Sequence, residues 1–221
     1  AVIIGNGTNY GLYGMANISD RAYDQLKGIQ ANYLRPETLN NANDVINNSV
    51  ARLAIFKHYN IQEDLIHASA DGQKFESRLE TFKTRYSSKY FGTNKGVSAI
   101  TLIANHAALN AKVIGSNEHE SHYIFDLLQS NTSEIQPDVL STDTHGVNHV
   151  NFALLDLFGY TFAPRYAQFG KVIEEMFKVS ENKDQGVTLS LKKPIKTDLI
   201  IEHWDTIQRI AISLQEKSTT Q

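Results

Sequence analysis

The chain has 221 residues and a mass of 24.8 kDa, enough for one large domain or two small ones, and its 41% hydrophobic and 20% charged residues suit a chain that buries a core. It has no cysteine, which excludes disulfides, thiol catalysis and cysteine-ligated zinc, and no run approaches the ~18 apolar residues of a membrane span. The net charge of −3 and a pI of 6.3 argue against a protein that coats nucleic acid over its whole surface, while leaving room for a local basic path.

Ala1-Val2-Ile3-Ile4 is too short, and lacks the basic lead, for a secretion signal; a start without methionine inside an apolar stretch is expected of a segment of a longer protein. Residues 1–60 read as mainly helical. Ser19 is an N-cap candidate for a helix over Asp20 to Tyr33, and Pro36 suits the first turn of the next. Leu39, Ala42, Ile46, Val50 and Leu53 recur at helical spacing and predict one buried packing face. After Asn60 the pattern shortens. Strands are expected over Leu65 to Asp71, Lys74 to Arg78, Val97 to Ile103 and Lys112 to Gly115, with Gly72, Gly92 and Gly96 as breaks. Asn117 and Glu120 form a candidate capping box before a helix that runs to Gln129 with Tyr123, Ile124, Leu127 and Leu128 inward. A strand over Val139 to Asp143 follows Pro137, and a helix from Val147 to Phe158 stops at Gly159. Tyr160 to Ala163 predicts one more short strand, and the unit from 112 to 143 a right-handed parallel crossover. Beyond Lys178 the chain is charged and then amphipathic, with Trp204, Ile207, Ile210, Ala211 and Leu214 on one helical face and a frayed end. The order of elements gives a mixed α/β sheet with helices packed on it.

Two aspartates stand out by position. Asp71 closes the strand that begins at Leu65 and precedes Gly72; Asp143 closes another, in Thr142-Asp143-Thr144-His145-Gly146. A carboxylate at a strand end beside a glycine is placed to project into a cleft next to a sheet. Two such groups brought together repel, so they share a proton or bind cations, and hard oxygen donors favour Mg²⁺ or Mn²⁺. Strand-end aspartates also serve as turn formers and caps, and spacing alone does not separate the two roles.

Four segments, in order along the chain, add a resemblance. Gly7-Thr8-Asn9-Tyr10-Gly11-Leu12, Ala70-Asp71-Gly72-Gln73-Lys74-Phe75, Tyr86-Ser87-Ser88-Lys89-Tyr90-Phe91-Gly92, and Thr142-Asp143-Thr144-His145-Gly146 with Asn151-Phe152-Ala153-Leu154 resemble motifs of the replicative Tn-3 family transposases of the DDE type. Ala163-Pro164-Arg165 and His203-Trp204-Asp205 with Arg209 are softer matches. The resemblance implies an RNase H-like fold of the retroviral integrase superfamily. It makes Asp71 and Asp143 the first two of three metal-binding carboxylates, with Mg²⁺ or Mn²⁺ as cofactor and Gln73 and His145 as supporting residues. The implied organisation is a helical segment over 1–60, a partial RNase H-like catalytic core over 61–177 and the start of a helical insertion over 178–221. The third acid, a glutamate on a late helix, is expected beyond residue 221; Glu202 and Glu216 match no catalytic position.

The implied activity is cleavage of transposon ends and transfer of the freed 3′ hydroxyl to target DNA, poor for this piece alone. The expected partner is DNA, with a homodimer when full length, in the bacterial cytoplasm at the nucleoid. Two alternatives stay open: a non-catalytic DNA-binding or assembly module derived from a transposase, and a nuclease of the same fold.

Other residues carry weaker signals. Lys83, Arg85, Lys89 and Lys95 interleave with Phe82, Tyr86, Tyr90 and Phe91, a pattern that tracks a phosphate backbone and stacks on unpaired bases, or else a hairpin whose aromatics pack inward. His145 and His149, and His119 and His122, are spaced closely enough to imitate zinc ligands but lack the intervening glutamate of a zinc protease. His145 serves either a phosphate-side role or a structural one. Gly5-Asn6-Gly7 lacks the lysine of a phosphate loop, no Gly-x-Ser-x-Gly supports a serine hydrolase, and Glu181, Lys183 and Asp184 read as a solvated loop.

Overall fold

The computed structural model describes residues 1–62, 64–178, 191 and 193–221. Four helices open the chain: α1 (Val2–Gly7), α2 (Gly11–Ile18), α3 (Tyr23–Tyr33) and α4 (Pro36–Ala51), followed by a 3₁₀ turn, Ala54–Tyr59. The first three share a small core of Val2, Met15 and Leu26. Ser19 closes α2 instead of opening α3: its hydroxyl donates to the Met15 carbonyl at 2.6 Å, and α3 begins only after Ala22. Pro36 does begin α4, where its missing N–H costs nothing.

The face of α4 differs from the expected one. Leu39, Ile46 and Leu53 are 48%, 61% and 55% exposed, and the buried residue of the helix is Asn47. The reason is the neighbour: α4 lies against an edge strand whose outward carbonyls need donors. The amides of Asn43 and Asn47, one turn apart, each donate to the Ala108 carbonyl at 2.8 Å.

The main sheet contains β1 (His67–Glu76), β2 (Arg85–Tyr86), β3 (Lys95–Ala104), β4 (Ala107–Gly115), β5 (Val139–Thr142) and β6 (Thr161–Phe162). β1 is central, antiparallel to β3 on one side and parallel to β5 on the other; β4 continues antiparallel beyond β3, and β6 parallel beyond β5. β4 and β5 therefore run in the same direction but are not neighbours, because β3 and β1 lie between them. This sheet is RNase H-like. The two expected strands on either side of Gly72 are one, since β1 passes through the glycine in unbroken register with β3.

Alternation sets the faces. Ala68 and Ala70 of β1, and Ile100, Leu102 and Ala104 of β3, point inward with Leu140 of β5 and share one core with Phe125 and Leu127 of α5 (Ile124–Gln129) and Leu154 and Leu155 of α6 (His149–Leu157). The helix expected to end at Gly159 does: Gly159 has φ +81°, the left-handed conformation that glycine adopts without strain. The capping box of Asn117 and Glu120 does not form. His119 precedes a 3₁₀ turn, Glu120–Tyr123, and the Glu120 carboxylate turns to the sheet.

Towards the end of the chain come α7 (Phe169–Ile173), the parallel pair β7 (Phe177–Lys178) and β8 (Lys193–Pro194), α8 (Thr197–Glu202) and α9 (Trp204–Gln215). The expected apolar face of α9 is buried only at Leu214, with Trp204 41% and Ile210 55% exposed. The last residue is docked, not frayed: the Gln221 backbone N–H donates to Asp126 at 3.1 Å, and its side-chain oxygen accepts from the Phe125 N–H at 3.0 Å. The charged run at Glu181, Lys183 and Asp184 lies outside the described residues. Among the described residues no helix is long and apolar enough to cross a membrane.

Candidate active site

The outward face of β1 carries Ser69, Asp71 and Gln73, all exposed, directly behind the buried Ala68 and Ala70. Asp71 is in the middle of this strand, not at its end. β1 and β5 pair in parallel register from His67–Val139 to Ala70–Thr142. One step beyond that last pair stand Asp71 and Asp143. Neighbouring strands lie about 4.8 Å apart, so the two carboxylates arise abreast on adjacent strands although 72 positions separate them in the chain.

Asp143 leaves the strand as the cap of a 3₁₀ turn, Thr144–Gly146. Its Oδ1 accepts from the backbone N–H of His145 at 2.9 Å and of Gly146 at 3.3 Å. Asp71 accepts from the N–H of Gly72 through its own Oδ1 at 2.8 Å. In both cases one oxygen fixes the side chain to the backbone, and among the described residues the other oxygen has no protein partner. Capping through one oxygen therefore leaves the second oxygen of each carboxylate available.

Three supports were not apparent from the sequence. His67 Nε2 and Ser141 Oγ meet at 2.6 Å on the same outward face, and Ser141 Oγ donates to the Ala163 carbonyl at 2.7 Å. Because the hydroxyl has one proton, Ser141 accepts from an Nε2–H of His67. The contact ties β1 to β5 and to the chain after β6. Asn151 is fully buried; its amide donates to the carbonyls of Ser121 at 2.9 Å and Gly146 at 3.1 Å, holding the turn that presents Asp143. A polar residue inside an apolar helical run was the available signal for Asn151. Behind Asp71, on the inward side, the Glu120 carboxylate accepts from Ser98 Oγ at 3.0 Å and lies 3.6 Å from Lys74 Nζ. A Cβ at Gly72 would meet that carboxylate at 2.1 Å, which explains why a glycine interrupts the strand sequence without interrupting the strand.

Of the two supporting candidates, Gln73 is exposed one alternation beyond Asp71, and His145 contributes its backbone N–H to Asp143 while its side chain faces solvent. The histidine pairs serve other contacts: His119 Nδ1 meets Ser121 Oγ at 2.7 Å, and His149 packs edge-on against Phe177. Among the described residues no group of three or more His, Cys, Asp or Glu is placed to hold a metal ion. Asp71 and Asp143 supply two hard oxygen donors, a partial set suited to Mg²⁺ or Mn²⁺ and short of a full coordination shell. Glu202 and Glu216 are exposed at the ends of α8 and α9.

The basic segment between β1 and β3 is partly committed to internal contacts. Lys83 Nζ donates to the Val113 carbonyl at 2.5 Å, Arg85 to the carbonyls of Phe82 and Thr84, and Lys95 to Glu80 at 2.5 Å. The Glu80 hydrogen bond raises the Lys95 pKa, and the same bond lowers that of Glu80. Three of the four aromatics do not pack inward, Phe82 being 91%, Tyr86 61% and Tyr90 48% exposed, whereas Phe91 is half-buried with its ring over Gly96. Lys89 lies 4.9 Å over the Tyr90 ring and Lys95 5.0 Å over the Tyr86 ring.

Comparison with known proteins gives a consistent set of similarities. The family model for the Tn3 transposase DDE domain matches residues 1–221. The transposase for transposon Tn4556 of Streptomyces fradiae is 28% identical over 97% of this chain and 24% of its own length. The transposase for transposon gamma-delta of Escherichia coli (strain K12) is 27% identical over 97% of this chain and 21% of its own length. The transposase for transposon Tn2501 of Escherichia coli is 31% identical over 99% of this chain and 22% of its own length. The chain thus spans about a quarter or less of the length of these relatives. Among solved structures, the crystal structure of the Mos1 strand transfer complex matches with a TM-score of 0.31 at 9% identity, over 93% of this chain and 74% of that one, a similarity too loose to bear on the fold.

Proposed function

Because this chain belongs to the family of Tn3 transposase DDE domains, we propose that it carries the first two metal-binding carboxylates, Asp71 and Asp143, of an enzyme that cuts transposon ends and joins the freed 3′ hydroxyl to target DNA. The observation that carries this reading is the β1–β5 register, which sets the two acids abreast on the open face of the sheet. Divalent cations held there would polarise the scissile phosphodiester and lower the pKa of the attacking hydroxyl.

The chain's own residues have distinct tasks in this account. The backbone bonds to Oδ1 of each aspartate fix its orientation and leave Oδ2 for a cation. The His67–Ser141 contact holds the two strands in register beneath them, and Gln73 and His145 flank the site. The exposed aromatics with Lys83, Arg85, Lys89 and Lys95 follow the DNA backbone, Lys89 from over the Tyr90 ring and the others after exchanging an internal partner for phosphate. Residues 1–60 lead into the core at 61–177, and 178–221 begin a helical insertion ahead of the third acid. A homodimer on paired ends, at the bacterial nucleoid, is the working form.

The test is Asp71→Asn and Asp143→Asn in the intact transposase, with cleavage and strand transfer scored on its own transposon ends. Each variant should lose at least ~10³-fold in both steps while folding normally. Strand transfer at the parental rate by either variant would defeat the assignment.

A further inference from the structure

The chain after β6 runs beside Asp143 for longer than the strand itself. Beyond Phe162 the Ala163 N–H donates to the Leu140 carbonyl and the Arg165 N–H to the Thr142 carbonyl, both at 2.8 Å, so the parallel ladder with β5 continues to Arg165. The Thr144 hydroxyl then donates to the Arg165 carbonyl at 3.2 Å and accepts from the Ala167 N–H at 3.0 Å. Both backbone groups of Arg165 are therefore fastened to the residues on either side of Asp143.

Alternation gives the direction. Thr161, Ala163, Arg165 and Ala167 are exposed, whereas Phe162, Pro164 and Tyr166 are half-buried. Arg165 thus belongs to the outward set, with Ser141 and Asp143 on the neighbouring strand. Among the described residues its guanidinium forms no ion pair. A cation fastened this firmly by its backbone, one strand from Asp143 and two from Asp71, and with no ion-pair partner among the described residues, has a chemical use where an anion must approach carboxylates.

We propose that Arg165 contacts a non-bridging oxygen of the DNA phosphate at the Asp71–Asp143 site. The inference rests on the function proposed above and adds a phosphate-binding residue to it. A guanidinium offers paired donors to phosphate and stays charged at any working pH. Placed one strand over from Asp143, it offsets the repulsion between the phosphodiester and the carboxylates and fixes the phosphate against them, so its largest effect falls on the chemical step.

The experiment compares Arg165→Ala, Arg165→Lys and Asp71→Asn in the intact transposase with its own transposon-end duplex. Single-turnover cleavage, end affinity, Mn²⁺ affinity and melting temperature are measured for each. Arg165→Ala should slow cleavage by ~10²-fold, with Mn²⁺ affinity, end affinity and melting temperature near the parental values. Arg165→Lys should recover part of the loss, and added methylguanidinium should restore part of the Arg165→Ala rate. Cleavage by Arg165→Ala at the parental rate overturns the inference. So does a loss accompanied by weakened Mn²⁺ binding or a lower melting temperature and not relieved by lysine or methylguanidinium, which marks Arg165 as structural. Asp71→Asn separates the two readings: if it cleaves normally the metal site itself is wrong, whereas if it is inactive and Arg165→Ala is normal, only the arginine assignment falls.

Discussion

The inward and outward faces of β1 alternate along the same strand and answer to different demands. Inward, Ala68 and Ala70 share the core with Leu127, Leu140 and Leu155, and the space behind Gly72 is taken by the Glu120 carboxylate with Ser98 and Lys74. Outward, His67, Ser69, Asp71 and Gln73 are all polar, and among the described residues His67 makes a side-chain hydrogen bond across to Ser141 of β5. One face spends its residues on close packing and the other keeps them accessible. Position along a strand matters less than which side a residue takes: Asp71 stands exposed on the outward face at mid-strand, where the rule of strand ends would not place it.

A new carboxylate placed on each face of β1 should separate the two faces most strongly. Ala70→Asp would bury a charge without a partner and should destabilise the domain by about 4 kcal/mol or more, enough to prevent folding in a marginal protein. Ser69→Asp, one residue away, should fold normally; equal melting temperatures for the two variants would contradict the assignment of faces. Asn151→Ala ranks next. It strips the amide donors from the Ser121 and Gly146 carbonyls inside the core and should cost about 2–3 kcal/mol in urea unfolding, and by loosening the turn at Asp143 it should weaken Mn²⁺ binding as well. Gly72→Ala drives a methyl into the Glu120 carboxylate and should cost about 1–3 kcal/mol, an expense that Glu120→Ala in the same chain should largely relieve.

The smallest effect concerns pH. The Tyr123 hydroxyl donates to Glu118, and that hydrogen bond, with burial and the charges of Glu118 and Asp126, pushes its pKa up to about 12. An unfolded tyrosine titrates near ~10. The bond therefore contributes its full stability below pH ~10 and loses it as pH rises from there through about 12. Ultraviolet titration of the phenolates should show a late tyrosine that moves down towards ~10 in Glu118→Gln, distinct from Tyr166, whose pKa burial raises; an unmoved titration would remove Glu118 as its cause.

Much of this architecture is legible in the residues. The strand at Val139, the helix that stops at Gly159 and the short strand after it follow from local chemistry, because each is decided by alternation, a helix period or a glycine at positive φ. What is not legible depends on neighbours that are distant in sequence. The polar face of α4 makes sense only beside the open edge of β4, whose carbonyls receive Asn43 and Asn47. Gly72 looks like a break until Glu120 occupies the space above it. The pairing of Asp71 with Asp143 is invisible in spacing, since nothing local dictates that β1 and β5 are neighbours; the ordered motifs supplied it. His67 and Ser141 are ordinary residues in sequence, and their contact depends on the same long-range register.

In the proposed function the Asp71 and Asp143 carboxylates share a divalent cation. Crystals of the domain soaked in manganese and measured at the metal's absorption edge test it most directly. The account predicts an anomalous peak between the Asp71 and Asp143 oxygens, absent from Asp143→Asn crystals. A fully soaked crystal with no peak there, or with the two side chains turned to opposite sides of the sheet, would contradict it.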